Sequence, residues 1–319
     1  MKIISTFSGC GGSSLGYKQA GGKVLLAVEY DDHAAACYRA NFPDTKLYHG
    51  DIANLSGEEV LQLSSLKVGE LDILDSSPPC QGFSTAGKRV FHDTRNQLFH
   101  EFVRLLRHLQ PKTFVMENVA GLVSGKMKLK FAEILRELKA SGYKVKARLL
   151  NTACFGVPQA RKRLIFIGVR EDLGIEPSHP KPKGPIVSIM EAIEGADTSG
   201  TPELAPRYKE IYDQIPLGGN AGDAWGIKSH FSDCIRPRPN KPCCTLPKMQ
   251  TGKGFATICH PLEPRALSIG EAKRIQTFPD DFILLGKYTD QFARIGNSVP
   301  PLFMKQIAEH IHGQILGKL

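Results

Sequence analysis

Apolar positions come in short runs that end in turns, with stretches of helical period between them. Residues 2–7 (KIISTF) form one such run, ending in a glycine-rich turn after which 14–20 can start a helix. Residues 23–29 (KVLLAVE) repeat the pattern as a strand ending in a carboxylate, and the acidic first turn of 32–41 suits a helix amino terminus. Residues 71–76 (LDILDS), 113–117 (TFVME) and 164–169 (LIFIGV) are further strand-like runs. Between the first two of these, Leu98, Phe99, Phe102, Leu105, Leu106 and Leu109 recur at helical spacing until Pro111 ends the segment. Short strands alternating with helices predict an α/β fold with a doubly wound, mostly parallel, Rossmann-like sheet.

The texture changes over 176–254, where HPKPKGP, IPLGGNAGDAWG and IRPRPNKP sustain neither period. Residues 268–277 turn helical again. Met304, Ile307, Ala308, Ile311 and Ile315 then share one face of a terminal helix, expected to pack back onto the first domain. The expected division is a catalytic and cofactor-binding domain of 1–175 plus 292–319 and a smaller, irregular domain of 176–291.

At 319 residues with 41% hydrophobic and 23% charged positions, the chain has the composition of an ordinary folded protein, which excludes disordered and fibrous classes. No window approaches about eighteen uninterrupted apolar residues, and MKIISTFSGCGGSS turns glycine-rich too early for a secretory signal, so a cytoplasmic protein without a membrane partner is expected. The eight cysteines form no C-x-x-C pair, which predicts reduced thiols and no metal, with vicinal Cys243 and Cys244 as a buried small-residue pair. Charge is more informative. Residues 86–175 carry 18 basic and 7 acidic side chains, whereas 1–85 carry 6 and 10. An excess concentrated in one stretch suits a surface that tracks phosphates, so nucleic acid is the first partner to consider.

Three places can carry chemistry. Residues 7–16 (FSGCGGSSLG) lie between a strand and a helix, where glycines let the backbone approach a nucleotide-like cofactor, and Glu29 ends the next strand, placed to accept from ribose hydroxyls. A nicotinamide dehydrogenase uses the same device. Residues 76–84 (SSPPCQGFS) follow another strand, and two prolines hold Cys80 out at the sheet edge as a candidate nucleophile. The next strand ends in Glu117, and 159–163 (QARKR) sets Arg161 and Arg163 on alternate positions of an extended segment.

These blocks, with GDI at 50–52, ENV at 117–119, RALSIGEAKRIQTFPDDF from Arg265 and GNSVPP at 296–301, resemble in order the motifs of the DNA cytosine-5 methyltransferases that use S-adenosyl-L-methionine, of the bacterial and phage restriction-modification type. They span nearly the whole chain. The resemblance implies methyl transfer to carbon 5 of a flipped-out cytosine in a short duplex DNA site, through a covalent adduct of Cys80 at carbon 6, leaving S-adenosyl-L-homocysteine. It implies that Glu117 hydrogen-bonds ring nitrogen 3 and the exocyclic amine, that Arg163 holds the base carbonyl, and that Arg161 orients the loop or a phosphate. For the cofactor it assigns Phe7, Ser8, Gly9, Gly11 and Gly12 to the cradle, Glu29 to the ribose, Tyr30 to the adenine face, and Asp51 and Ile52 to the adenine edge. Pro79, Leu98, Asn297 and Val299 would line the pocket.

Residues 82–96, after Cys80, form a basic, glycine-containing loop suited to close over DNA, with Gln81, Ser84, Lys88, Arg89 and Arg95 as candidate contacts. The family's variable segment falls at about 177–255, where Arg236, Arg238, Lys248, Gln250, Thr251 and Lys253 are candidate base or phosphate contacts. The implied partner is double-stranded DNA, with a restriction endonuclease as a counterpart in function only, and a monomer suffices. The alternatives are a tRNA cytosine-5 methyltransferase of the same fold and a catalytically silent DNA-binding relative.

Overall fold

Alternation of strand and helix begins with β1 (Lys2–Thr6), α1 (Gly12–Gln19), β2 (Lys23–Glu29), α2 (Asp32–Asn41) and β3 (Lys46–His49). It continues through α3 (Gly57–Ser64), β4 (Ile73–Ser76), α4 (Gln97–Leu109), β5 (Thr113–Val119), α5 (Lys128–Lys139) and β6 (Tyr143–Asn151). After a two-residue strand, β7 (Gln159–Ala160), comes the long β8 (Lys162–Arg170). The structure is a computed structural model and describes residues 1–79, 97–227, 233–248 and 257–319. The chain forms two compact units: 1–151 with 162–181 and 304–319, and 152–161 with 182–303.

The first unit is built on a seven-stranded sheet of order β3-β2-β1-β4-β5-β8-β6. The five strands from β3 to β5 run parallel, and β8 is antiparallel to both β5 and β6. The sheet is mostly parallel, as the apolar runs predict. Local chemistry sets the helix starts. The Asp31 carboxylate accepts from the Ala34 amide at 2.9 Å to cap α2, and Ser56 caps α3 by accepting from Glu59 at 3.1 Å. On α4 the helical-period residues Phe102, Leu105, Leu106 and Leu109 are fully buried, in one core with Leu74, Phe114 and Met116. The expected terminal helix is α11 (Pro301–Gln314); Met304, Ile307, Ala308 and Ile311 are buried on it, and residues 304–319 belong to the first unit.

The second unit holds short elements, as the Pro/Gly-rich texture leads one to expect. These are α6 (Ile189–Ile193), α7 (Pro206–Lys209), α8 (Ala221–Ala224), the two-residue β9 (Cys243–Cys244), α9 (Ile269–Ile275) and α10 (Tyr288–Asn297). Vicinal Cys243 and Cys244 are β9 itself, paired in parallel with Gln159 and Ala160 of β7, with Cys243 fully buried. Ser268 and Glu271 cap α9 reciprocally, and Glu271 is gripped by both Arg265 Nη atoms at 2.8 and 2.7 Å. Apolar packing is divided between a cluster around Leu246, Ile275 and Phe292 and another around Tyr208, Tyr212 and Cys259.

Candidate functional site

Parallel strands deliver their following loops to one edge of a sheet, and in the first unit the sequence-predicted residues gather at the carboxyl ends of β1 to β5. The loop after β1 is tightly drawn. Phe7 takes a left-handed backbone (φ 55°), an unusual state for a bulky residue, and Gly9 (57°) and Gly11 (101°) follow. Ser8 holds the turn: its amide donates to Val28 O at 3.1 Å and its hydroxyl to Ser5 O at 2.8 Å. A Cβ at Gly11 would lie 2.2 Å from Phe42 Cε2, so the chain needs glycine there for packing as well as for dihedral angle. A Cβ at Gly9 would meet nothing within 4 Å among the described residues, so this backbone faces open space as far as they go.

Glu29 ties that loop to the one after β2. Its Oε2 accepts from the Gly9 amide at 2.7 Å, and its Oε1 from the amides of Tyr30 and Asp31 at 3.0 and 2.8 Å. The carboxylate therefore organises both loops, with acceptor capacity left over for a hydroxyl. The Tyr30 ring is 73% exposed beside it. Asp51 follows β3 and accepts from the Ala53 amide at 3.0 Å, exposed, while Ile52 is buried in the core. Pro79 is exposed after β4, and Leu98 is half-buried against the core. Open space over a glycine loop, a free aromatic face and a strand-end carboxylate together fit an adenosine-bearing ligand. At the end of β4, moreover, the Ser76 hydroxyl is buried with no hydrogen-bond partner among the described residues.

Glu117 lies two residues before the end of the neighbouring strand β5 and meets Arg163 of β8, whose Nε lies 2.6 Å from Glu117 Oε1; both side chains are 13% exposed. The pair follows from register. Arg163 sits opposite Val119 across the antiparallel ladder, so Glu117 is its diagonal neighbour on the same face. Glu117 Oε2 has no partner among the described residues and can serve a ligand.

Other predicted residues fall elsewhere. Arg161 belongs to the second unit and is 3% exposed, donating from Nη1 to Leu246 O at 3.0 Å and from Nη2 to Gly296 O at 2.8 Å. It is a strut between backbone segments of that unit. Arg236 is committed similarly, to the carbonyls of Pro261, Tyr212 and Ile215, with its guanidinium 4.3 Å from the Tyr212 ring centre. Arg238 and Lys248 are exposed. Asn297 is exposed at the end of α10 and Val299 is buried, both in the second unit. Cys80, Gln81, Ser84, Lys88, Arg89, Arg95, Gln250, Thr251 and Lys253 lie outside the described residues.

Three polar residues carry no role in the motif reading: Gln159 and Gln276, which lie inside quoted motifs, and Asp75, which lies outside them. Gln159 and Gln276 hydrogen-bond each other, and Gln276 Nε2 also donates to Ser298 O at 2.6 Å. Asp75 is 1% exposed in the middle of β4, and burial pushes its carboxyl up to about 7. An acid inside the apolar run LDILDS is the signal that could have flagged it.

The C-5 cytosine-specific DNA methylase family matches residues 1–313. The type II methyltransferase M1.HphI of Haemophilus parahaemolyticus is 38% identical over 328 residues, covering 98% of this chain and 86% of the relative. M.DdeI of Desulfomicrobium norvegicum is 32% identical over 377 residues, covering 98% and 88%. Among solved structures, a putative DNA modification methyltransferase encoded within an E. coli prophage matches with a TM-score of 0.77 at 26% identity, covering 99% of each chain. With its motifs in order and its strand-end residues gathered at one sheet edge, the chain belongs to the C-5 cytosine-specific DNA methylases and is a DNA cytosine-5 methyltransferase.

Proposed function

We propose that the chain takes the methyl group from S-adenosyl-L-methionine to carbon 5 of a cytosine flipped out of a short duplex site, with Cys80 as the nucleophile and S-adenosyl-L-homocysteine as product. The observation that carries the reading is the Glu117–Arg163 pair near the end of β5, next to the strand that leads into Cys80. The bound cofactor supplies an electrophilic methyl group on a sulfonium.

Carbon 5 of cytosine is too weak a nucleophile on its own. The Cys80 thiolate adds to carbon 6, and the displaced π electrons collect on the ring, making carbon 5 nucleophilic. Glu117 answers that charge at ring nitrogen 3, by a shared proton or a hydrogen bond, and Arg163, whose Nη1 donates to the Lys162 carbonyl at 2.8 Å, holds the acid in place and would donate from its remaining N–H groups to the base carbonyl. Once carbon 5 carries the methyl group, loss of its hydrogen as a proton returns an electron pair to the ring and expels the Cys80 sulfur. A thiol of ordinary pKa near 8.5 needs a neighbouring positive charge or amide to give enough thiolate, and Arg163 or a backbone amide would supply it.

For the cofactor, Phe7, Ser8, Gly9, Gly11 and Gly12 form the cradle, Glu29 takes the ribose, Tyr30 covers the adenine, and Asp51 and Ile52 face its edge. Pro79 and Leu98 complete the lining within the first unit. Residues 1–175 with 292–319 are read as the catalytic domain and 176–291 as the recognition domain, with Arg238, Lys248, Gln250, Thr251 and Lys253 as its DNA contacts and Gln81, Ser84, Lys88, Arg89 and Arg95 on the catalytic side. Arg161 and Arg236 act by shaping the second unit. The protein works in the cytoplasm as a monomer, opposite a restriction endonuclease that cuts the same site unmodified.

The test is a duplex carrying 5-fluorocytosine, incubated with the full chain and S-adenosyl-L-methionine. Fluorine cannot leave as a cation, so the adduct persists, and peptide mass mapping should place it on Cys80. Cys80→Ala should form no adduct while binding cofactor normally; an adduct that survives this change overturns the assignment.

A further inference from the structure

Beneath the glycine loop lies a carboxyl that none of these roles uses. Asp75 Oδ2 accepts from Ser5 Oγ of β1 at 2.9 Å, and its Oδ1 from the Tyr17 hydroxyl of α1 at 3.1 Å. Thr6 Oγ1 donates to the Asp75 carbonyl at 3.1 Å. Among the described residues, no lysine, arginine or histidine forms an ion pair with it. The titratable groups that act on it or feel it are acidic: Tyr17 on α1, Tyr38 on α2, and Glu117 on the same face of β5, whose own partner is Arg163.

Burying a carboxylate among hydroxyls and other acids is costly, and burial is the main reason its pKa rises, against the pull of the Ser5 and Tyr17 hydrogen bonds and with Glu117 adding to the rise. Among the described residues, such a site lacks a cation. Its place in the fold says where one would come from. Asp75 is one residue short of the end of β4 and in register with Ser5, two residues before Phe7. The cofactor loop and the loop to Cys80 both start from this pair of strands.

We propose that Asp75 is the counter-charge of the methyl-donor site, its carboxylate favouring the sulfonium donor over the product that lacks this charge. The inference rests on the donor reading above. Donor and product differ by one methyl group and one positive charge, so contacts to the adenosine and amino-acid portions hold both alike. A buried negative charge distinguishes them, because Coulomb attraction in a poorly screened interior reaches beyond contact distance. Near neutral pH, donor binding releases a proton from Asp75 to solvent. Conversion to product removes the positive charge, the proton returns, and the product is held less tightly. Asp75 is thus a specificity-determining residue that acts without touching the reacting atoms.

Calorimetric titration of the full chain with donor and with product tests this, in buffers of contrasting ionisation enthalpy. In the wild type the ratio of donor to product affinity should rise about tenfold between pH 6 and pH 8, and donor binding at pH 7 should release more protons than product binding. Asp75→Asn should make the ratio independent of pH and abolish the difference in proton release. Tyr17→Phe, which removes one hydrogen bond from the carboxylate and little volume, should keep the preference but move its onset to higher pH. A wild-type ratio that does not change, or an Asp75→Asn chain that keeps the change or weakens both ligands equally, overturns the proposal. Wild type that binds neither ligand overturns the donor reading, and this proposal with it.

Discussion

Replacing Arg161 separates a role in chemistry from a role in architecture. Its guanidinium is buried and bonded to the carbonyls of Leu246 and Gly296, at 3.0 and 2.8 Å. A hydrogen bond to a charged group contributes about 1.5–3 kcal/mol, so Arg161→Ala removes about 3–6 kcal/mol and leaves two buried carbonyls short of a donor. That is a large share of the 5–15 kcal/mol or so that holds a typical domain folded. Arg161→Lys keeps the charge but not the planar fork, and should retain about half of the loss. The assay is urea unfolding followed by fluorescence of Trp225, the chain's one tryptophan, which stacks on Tyr208 within the second unit and so reports on that unit. The midpoint should fall steeply in Arg161→Ala and by an intermediate amount in Arg161→Lys. An Arg161→Ala chain that unfolds at the wild-type midpoint yet has lost methyl transfer would refute the strut and place Arg161 on the substrate.

Further expectations follow from the same geometry. Gly11→Ala forces a side chain into the left-handed region and against Phe42, so it should cost about 1–3 kcal/mol in urea unfolding and weaken cofactor binding; a neutral effect on both would count against the cradle. Asp75 is raised from 3.8 to about 7, so the stability tied to its neutral form is complete below 3.8 and lost as pH rises through 7. Asp75→Asn should therefore gain melting temperature relative to wild type at pH 8.5 more than at pH 5.5, and equal shifts at both would contradict the burial argument. Glu117→Gln should lower the methyl-transfer rate by about a hundredfold or more with cofactor affinity retained, measured by single turnover and calorimetry. A rate within a fewfold of wild type would remove Glu117 from the mechanism.

The elements legible in the sequence are those with one strong period. The apolar runs of β1, β2, β4, β5 and β8 are buried on both faces, and α4 shows a continuous apolar stripe. By contrast β6 (YKVKARLLN) is one of the two edge strands, half-exposed, and its alternating Lys144, Lys146 and Arg148 register as charge rather than as a strand. The β3 strand is four residues long with no fully buried position. In the second unit, order comes from side chains bonded to distant carbonyls, as with Arg161 and Arg236, which no local period encodes. The site divides in the same way. Glycines and strand-end acids are visible as motifs, because backbone geometry demands them at fixed spacing. Asp75 belongs to no motif: the acid in the apolar run LDILDS marks the position, but its partners Ser5 and Tyr17 are 70 and 58 residues away, so its hydrogen bonding is encoded by no local pattern.

The most direct measurement is transfer of labelled methyl from S-adenosyl-L-methionine to duplex DNA, with the product mapped at base resolution. Label should appear at carbon 5 of cytosine within one short sequence and vanish with Cys80→Ala. Robust labelling of tRNA with none in DNA, or label on an exocyclic nitrogen, would contradict the account.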